Sequence, residues 1–198
     1  ELPGAFVLGS NDYYAPKPIN PVKYFAGPSQ ITPARPMLDW EPLAAGMSDH
    51  GWLDLTNTHV NWTVGGRLIS VKGVDDPHIA RDDYEGIRGS FNSEADLSLG
   101  VVHAPYLRVL DAMAADNAQL ILAGHTHGGQ LRVPGYGALV TNCDLDPKRA
   151  RGLSQHRNSA LHVSAGLGCS RYAPFRFACP PEATLITLKP RGSPLEWS

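Results

Sequence analysis

Three short apolar stretches of this chain each run straight into a polar loop that carries a nitrogen or oxygen donor. Ala5-Phe6-Val7-Leu8 leads into Gly9-Ser10-Asn11-Asp12, Leu97 to Val102 leads into His103, and Gln119 to Ala123 leads into Gly124-His125-Thr126-His127-Gly128-Gly129. Buried strands delivering polar loops from their C-terminal ends are where α/β folds place their sites. This pattern restricts the chain more than anything in its composition does.

The remaining segments fit the same class. Trp52 to Leu55, Val60 to Val64 and Arg67 to Lys72 read as strands, and Gly65-Gly66 is a hairpin signal between the last two. Met37 to Met47 and Tyr106 to Ala115 read as helices, and Asp76-Pro77 has helix-start chemistry. Leu131 to Val133, Ala138 to Thr141, Leu161 to Ser164 and Thr184 to Leu188 are further expected strands. Six prolines between Ala15 and Pro36 exclude a long helix there and point to an irregular surface insertion, with room for a brief helix at Val22 to Ala26. The expected architecture is α/β, a two-sheet β-sandwich flanked by helices, in one domain over 1–198.

Composition excludes several function classes. The 17 Lys and Arg against 19 Asp and Glu leave a formal charge of −2, with no basic excess to drive nucleic-acid binding. Leu120-Ile121-Leu122-Ala123 is among the longest apolar runs, far below the ~20 residues of a membrane span. Three cysteines without a CxxC pair indicate neither a disulfide framework nor a zinc ribbon, and favour a reducing compartment.

Among the eight histidines, His125 and His127 stand apart. Two imidazoles at i and i+2 share a face of extended chain, and the flanking glycines permit a bend toward an ion. Neutral imidazole suits Zn, Mn or Fe. Taken alone, His103 reads as a hydrogen-bonded structural residue and Asn11-Asp12 as a turn. Asp76 reads as a helix cap, and His162 as structural. Arg171 and Arg176 are read as phosphate clamps or as surface and carboxylate-pairing residues. Tyr13, Tyr14 and Trp40 are read as core aromatics in preference to a stacking surface.

The run from Gly124 to Gln130 resembles the C-terminal signature of calcineurin-like metallophosphoesterases, in the bacterial branch whose motif reads GHTHGGQ. Gly9-Ser10-Asn11-Asp12 resembles that family's GN(H/D) loop, and His103 its isolated histidine, in family order. Gly166-Leu167-Gly168, Arg176 and Pro180-Pro181-Glu182 resemble the same branch. The resemblance implies a metal-dependent hydrolase of phosphate mono- or diesters or pyrophosphates, working through a dinuclear centre and metal-bound hydroxide. It implies Asn11, His103 and His125 as ligands of one divalent ion and His127 of the other, the metals being Mn, Fe or Zn. The implied substrate is a phosphorylated small molecule or lipid-linked phosphate. Catalytic roles fall on His103 and on Asp12, which stands where many members carry a proton-donating His.

The family places Asp-x-His and then Gly-Asp ahead of the first loop, whereas only Glu1 to Leu8 precede it here. The chain therefore reads as the C-terminal portion of a domain, lacking its N-terminal strands and metal-binding part, and is expected to be poorly active by itself. The expected location is cytoplasmic, or membrane-associated through the missing segment. The alternatives are a non-catalytic metal-binding or structural homologue, and a mononuclear zinc hydrolase using His103, His125 and His127 with Asp12 as base.

Overall fold

Parallel strands buried on both faces need near-continuous apolar sequence, whereas edge strands alternate. The chain supplies both kinds. A computed structural model describes residues 2–16, 35–169 and 174–190. Within it β1 (Gly4–Phe6), α1 (Ser10–Tyr13), α2 (Glu41–Asp49), β2 (Trp52–Asp54), β3 (Thr58–Val64) and β4 (Arg67–Val74) come first. Then follow β5 (Leu97–Val102), α3 (Leu107–Ala115), β6 (Leu120–Ala123), β7 (Arg132–Val133), β8 (Gly137–Ala138), β9 (Gly152–His156) and β10 (Ser159–Val163).

The protein is α/β, built on a six-stranded sheet in the order β3-β4-β5-β6-β10-β9. β4, β5, β6 and β10 are mutually parallel, while β3 and β9 close the two edges antiparallel. Accordingly β3 alternates between exposed and half-buried residues along its length, and β4 ends in five buried ones. Val109, Leu110 and Met113 form the apolar stripe of α3, joining a core that includes Val74, Phe91, Val102, Ile121, Leu161 and Val163. β1 and β2 form a separate parallel pair. Leu55, just past β2, lies against Gly73 of β4 so closely that a Cβ there would fall 2.4 Å from it. A second cluster of Phe6, Leu8, Tyr13 and Ala44 receives Trp40 and Met47.

The register decides where the site can be. Val74 pairs with Val102, Val102 with Ala123, and Ala123 with Val163. The four parallel strands therefore end on one line, and Asp75, His103, Gly124 and Ser164 leave the sheet side by side.

Some boundaries differ from expectation. The helix expected from Met37 begins instead at Glu41, with Pro42 in its first turn. The expected strand Ala138 to Thr141 shrinks to β8, and β9 was not anticipated. Thr184 to Leu188 is not a strand among the described residues, and Leu185 is 92% exposed. A run rich in Thr, Ile and Leu makes a strand only where a partner edge receives it. The brief helix expected at Val22 to Ala26, most of the proline-rich insertion and Arg171 lie outside the described residues. No helix among the described residues is long and apolar enough to cross a membrane.

Candidate functional site

Gly9 follows the first apolar run in extended conformation and caps α1, its N–H donating to Asp12 Oδ2 at 2.8 Å. A Cβ on Gly9 would fall 2.5 Å from His103 Nε2. The absence of a side chain thus lets the first loop lie directly on the ring delivered by β5. Asn11 is exposed on the same turn.

β6 ends beside β5, which brings His125 to His103. The two imidazoles meet edge to face with centroids 5.2 Å apart, His125 Nδ1 lying 3.3 Å from His103 Nε2. His125 Nε2 lies 3.2 Å from the Asn142 carbonyl, which can only accept, so this nitrogen carries the proton. The Asn142 side-chain nitrogen lies 3.4 Å from the same ring nitrogen, but with the proton on Nε2 both atoms are donors and this approach is not a hydrogen bond. Nδ1 of His125 is then left with its lone pair turned toward His103.

The loop after His125 bends more sharply than its glycines alone require. His125, His127 and Gln130 take left-handed φ values of 65°, 49° and 43°, together with Gly128 at 64° and Gly129 at 84°. Each such non-glycine conformation costs about 1–3 kcal/mol and persists only where surrounding contacts dictate it. Here Thr126 Oγ1 donates to the Ala150 carbonyl at 2.7 Å, and Arg132 donates to the Gly128 carbonyl. Arg176 donates to the carbonyls of His127, Ala165, Gly166 and Gly168. Its guanidinium therefore braces the loop, in place of the clamping or carboxylate pairing expected from sequence.

Burial holds His103, His125 and His127 below the usual histidine pKa, His125 furthest, so all three are neutral at pH 7. Asp12 opposes the shift at His103, whereas neighbouring imidazoles reinforce it at His125. At His127 the Arg176 charge reinforces it and the Gly168 carbonyl opposes it.

One member of the cluster was missed. His78 follows β4 through Asp76-Pro77, and its ring centroid lies 4.7 Å from that of His125, with Nδ1 2.9 Å from the Tyr106 hydroxyl. Asp76 caps this turn as expected, Oδ1 accepting the His78 N–H at 2.9 Å. Its Oδ2, however, is buried without a hydrogen-bond partner. Burial raises the Asp76 pKa to about 6, while the His78 and Ser10 N–H groups partly offset that rise. The available signal was Asp-Pro-His placed directly after a buried strand. Tyr13 and Trp40 are core aromatics as expected, packed edge to face at 5.3 Å, and His162 is buried in β10.

Among the described residues, no group of three or more His, Cys, Asp or Glu is gathered as a ligand set for a metal ion. The donors present still suit one. Two nitrogens bound at about 2.0–2.1 Å to a tetrahedral ion lie about 3.3 Å apart, and His103 and His125 show 3.3 Å. Neutral imidazoles beside a buried carboxylate with an unused oxygen fit a divalent transition metal.

Several curated proteins are similar to the chain. The metallophosphoesterase YkuE of Bacillus subtilis (strain 168), itself named as uncharacterized, is 35% identical over 124 residues, covering 63% of this chain and 42% of its own length. YkoQ of the same strain, also named an uncharacterized metallophosphoesterase, is 30% identical over 66% of this chain and 47% of itself. Phosphodiesterase YaeI of Escherichia coli (strain K12) is 36% identical over 48% of this chain and 34% of itself. The chain thus spans less than half the length of each of these relatives. No family model matches the chain, and no solved structure matches it.

Proposed function

We propose that the protein is a metallophosphoesterase, a metal-dependent hydrolase of phosphate mono- or diesters or pyrophosphates. The observation that carries this reading is the meeting of His103 and His125 at 3.3 Å beneath the Gly9–Asp12 loop. Similarity to proteins named metallophosphoesterase and phosphodiesterase supports it.

In this reading Asn11, His103 and His125 hold one divalent ion and His127 holds a second, the metals being Mn, Fe or Zn. When bound, such ions supply the positive charge that polarises a phosphoryl group and eases deprotonation of the attacking water. The chain's own residues prepare the donors. The Asn142 carbonyl fixes the proton of His125 on Nε2 and leaves Nδ1 to donate, as a backbone carbonyl behind a ligand histidine does. Lowered pKa values remove the cost of deprotonating the imidazoles before binding. Asp12 spends one oxygen on Gly9 and faces His103, so its role is to position the loop and that ring.

The test uses full-length protein purified with its metals. Metal content and hydrolysis of bis(p-nitrophenyl) phosphate are measured for the parent, for His125→Ala and His127→Ala, and for the distant exposed variant Leu153→Ser. At least a 100-fold loss of turnover with reduced metal content is expected for both histidine variants, and neither change for Leu153→Ser. Turnover retained in the histidine variants, or unaffected by chelation, overturns the reading.

A further inference from the structure

Most charged groups around the histidine loops have partners within the fold. Asp12 accepts from the Gly9 N–H, Asp75 holds Arg81 at 2.8 Å, and Asp144 accepts from the Leu107 N–H. Arg176 is spent on backbone carbonyls. Asp76 takes the His78 N–H on Oδ1, with Oδ2 unpaired.

Arg35 differs from these. Its segment is stitched to the chain that follows the Gly9–Asp12 loop. The Leu38 N–H donates to the Tyr13 carbonyl at 2.8 Å, the Ala15 N–H donates to the Pro36 carbonyl at 3.0 Å, and Tyr14 pairs with Met37 between them. From this anchored backbone the Arg35 side chain is half-buried, and its Nε is closed to water with no hydrogen-bond partner. No Asp or Glu among the described residues forms an ion pair with it. The guanidinium nonetheless lies close enough to act on His78. Burial holds that ring neutral, Asp76 opposes the effect, and His103 and the Arg35 charge reinforce it. The His78 ring in turn lies 4.7 Å from that of His125.

A buried donor without an acceptor costs stability, the more so on a charged group. Such costs are retained where a ligand uses the group. The ligand chemistry follows from the donor, because a planar guanidinium matches phosphate oxygens with two parallel N–H groups. A phosphate monoester, with its second pKa near about 6, is almost a dianion at pH 7.5, whereas a diester carries one charge. The attraction of the guanidinium scales with that charge.

We propose that Arg35 binds the substrate phosphate beside His78 and His125, and favours doubly charged phosphates, a monoester or the terminal phosphate of a pyrophosphate, over singly charged diesters. The assignment rests on the phosphoesterase reading and narrows its substrate class. It makes Arg35 a specificity-determining residue.

Full-length protein purified with its metals is titrated calorimetrically with inorganic phosphate at pH 7.5. KM and kcat are measured for p-nitrophenyl phosphate and bis(p-nitrophenyl) phosphate. Arg35→Gln is expected to weaken phosphate binding at least tenfold, and Arg35→Lys, which keeps the charge and loses the fork, by less. In Arg35→Gln the KM for the monoester is expected to rise at least tenfold and that for the diester less than threefold, with metal content unchanged. Nε makes no hydrogen bond to lose, so metal-free Arg35→Met is expected to melt no lower than the parent. Unchanged phosphate affinity in Arg35→Gln overturns the proposal, as does an equal loss for the two esters. Loss of bound metal in Arg35→Gln, or a marked fall in the melting temperature of Arg35→Met, also overturns it by making Arg35 a structural residue. Failure of the parent to cleave either ester, with phosphate binding still dependent on Arg35, sinks the phosphoesterase reading and leaves the anion site standing. Turnover of the monoester that needs His125 and is indifferent to Arg35 does the reverse.

Discussion

At the scale of single residues, the site depends on groups that are absent as much as on those present. Gly9 carries no side chain where His103 lies, and any Cβ would meet the ring at 2.5 Å. Gly9→Ala must push either the loop or the imidazole aside, and overpacking of this kind costs about 1–3 kcal/mol. A lower melting temperature is expected together with weaker metal retention, measured by calorimetry and elemental analysis. Unchanged values for both would show that the loop does not rest on His103. Lys72 presents the opposite situation, a full charge at a position closed to water. Its Nζ lies 2.7 Å from Asp116 Oδ2 with the side chain fully buried, donates to the Gly89 carbonyl, and sits 4.7 Å from the Phe91 ring centroid. Removing one partner strands the other charge, at about 3–5 kcal/mol, whereas replacing both by apolar residues is far less costly. Asp116→Ala should therefore destabilise the protein more than the double change Lys72→Met/Asp116→Leu, as read by urea denaturation. The reverse order would contradict this account of the pair.

At the scale of elements, α3 is tied to the β9–β10 hairpin by one carboxylate. Asp111 Oδ1 accepts from His156 Nε2 at 2.7 Å and from Arg157 Nε at 2.6 Å. These donors, Arg157 first, lower the Asp111 pKa to about 2. A depressed carboxylate pKa contributes stability above the unfolded value near 3.9, and that contribution disappears as pH falls through about 2. Partial exposure keeps it small, about 1 kcal/mol or less. Asp111→Asn should accordingly be less stable than the parent at pH 7 and indistinguishable from it near pH 2. A difference independent of pH would mean that packing, and not charge, holds the hairpin to the helix. At this scale the sequence was informative wherever a pattern was self-sufficient. β5 was legible to the residue from its apolar run, and α3 nearly so. β9 was not, because Gly152–His156 becomes a strand only through its pairing with β10. Thr184 to Leu188 failed for the converse reason, a strand-prone composition with no edge to receive it among the described residues.

At the scale of the whole molecule, burial of imidazoles makes the fold sensitive to mild acid. His59, His78, His103, His125, His127 and His162 all have pKa values below 6.5, with burial the leading cause in each. Each takes up a proton more readily when unfolded, so stability present above pH 6.5 is lost as pH falls below it. Asp76 works in the opposite sense. Its carboxyl, raised to about 6, takes up a proton more readily when folded and returns some stability as pH falls from about 6 toward 4. Six groups against one predict that the melting temperature of metal-free protein falls from pH 7.5 to 5.5, most steeply below pH 6.5. A flat profile there would show that these imidazoles are not held neutral by the fold.

By itself, the sequence determined the α/β class, most strand positions and the donor residues at strand ends. Those features are local: apolar runs, turn glycines and the crowding of Asn11, Asp12, His103, His125 and His127 into loops after buried segments. Only the tertiary structure decided which donors meet. The parallel register of β4, β5, β6 and β10 ends four strands on one line. It thereby adds His78 and the oxygen of Asp76 that lacks a hydrogen-bond partner to a cluster whose membership the Asp-Pro-His sequence marks as a strand-end turn but does not assign. The same pairing turned Arg176 into a brace on the backbone. Contacts between residues far apart in the chain depend on strand order and register, and no local pattern contains those.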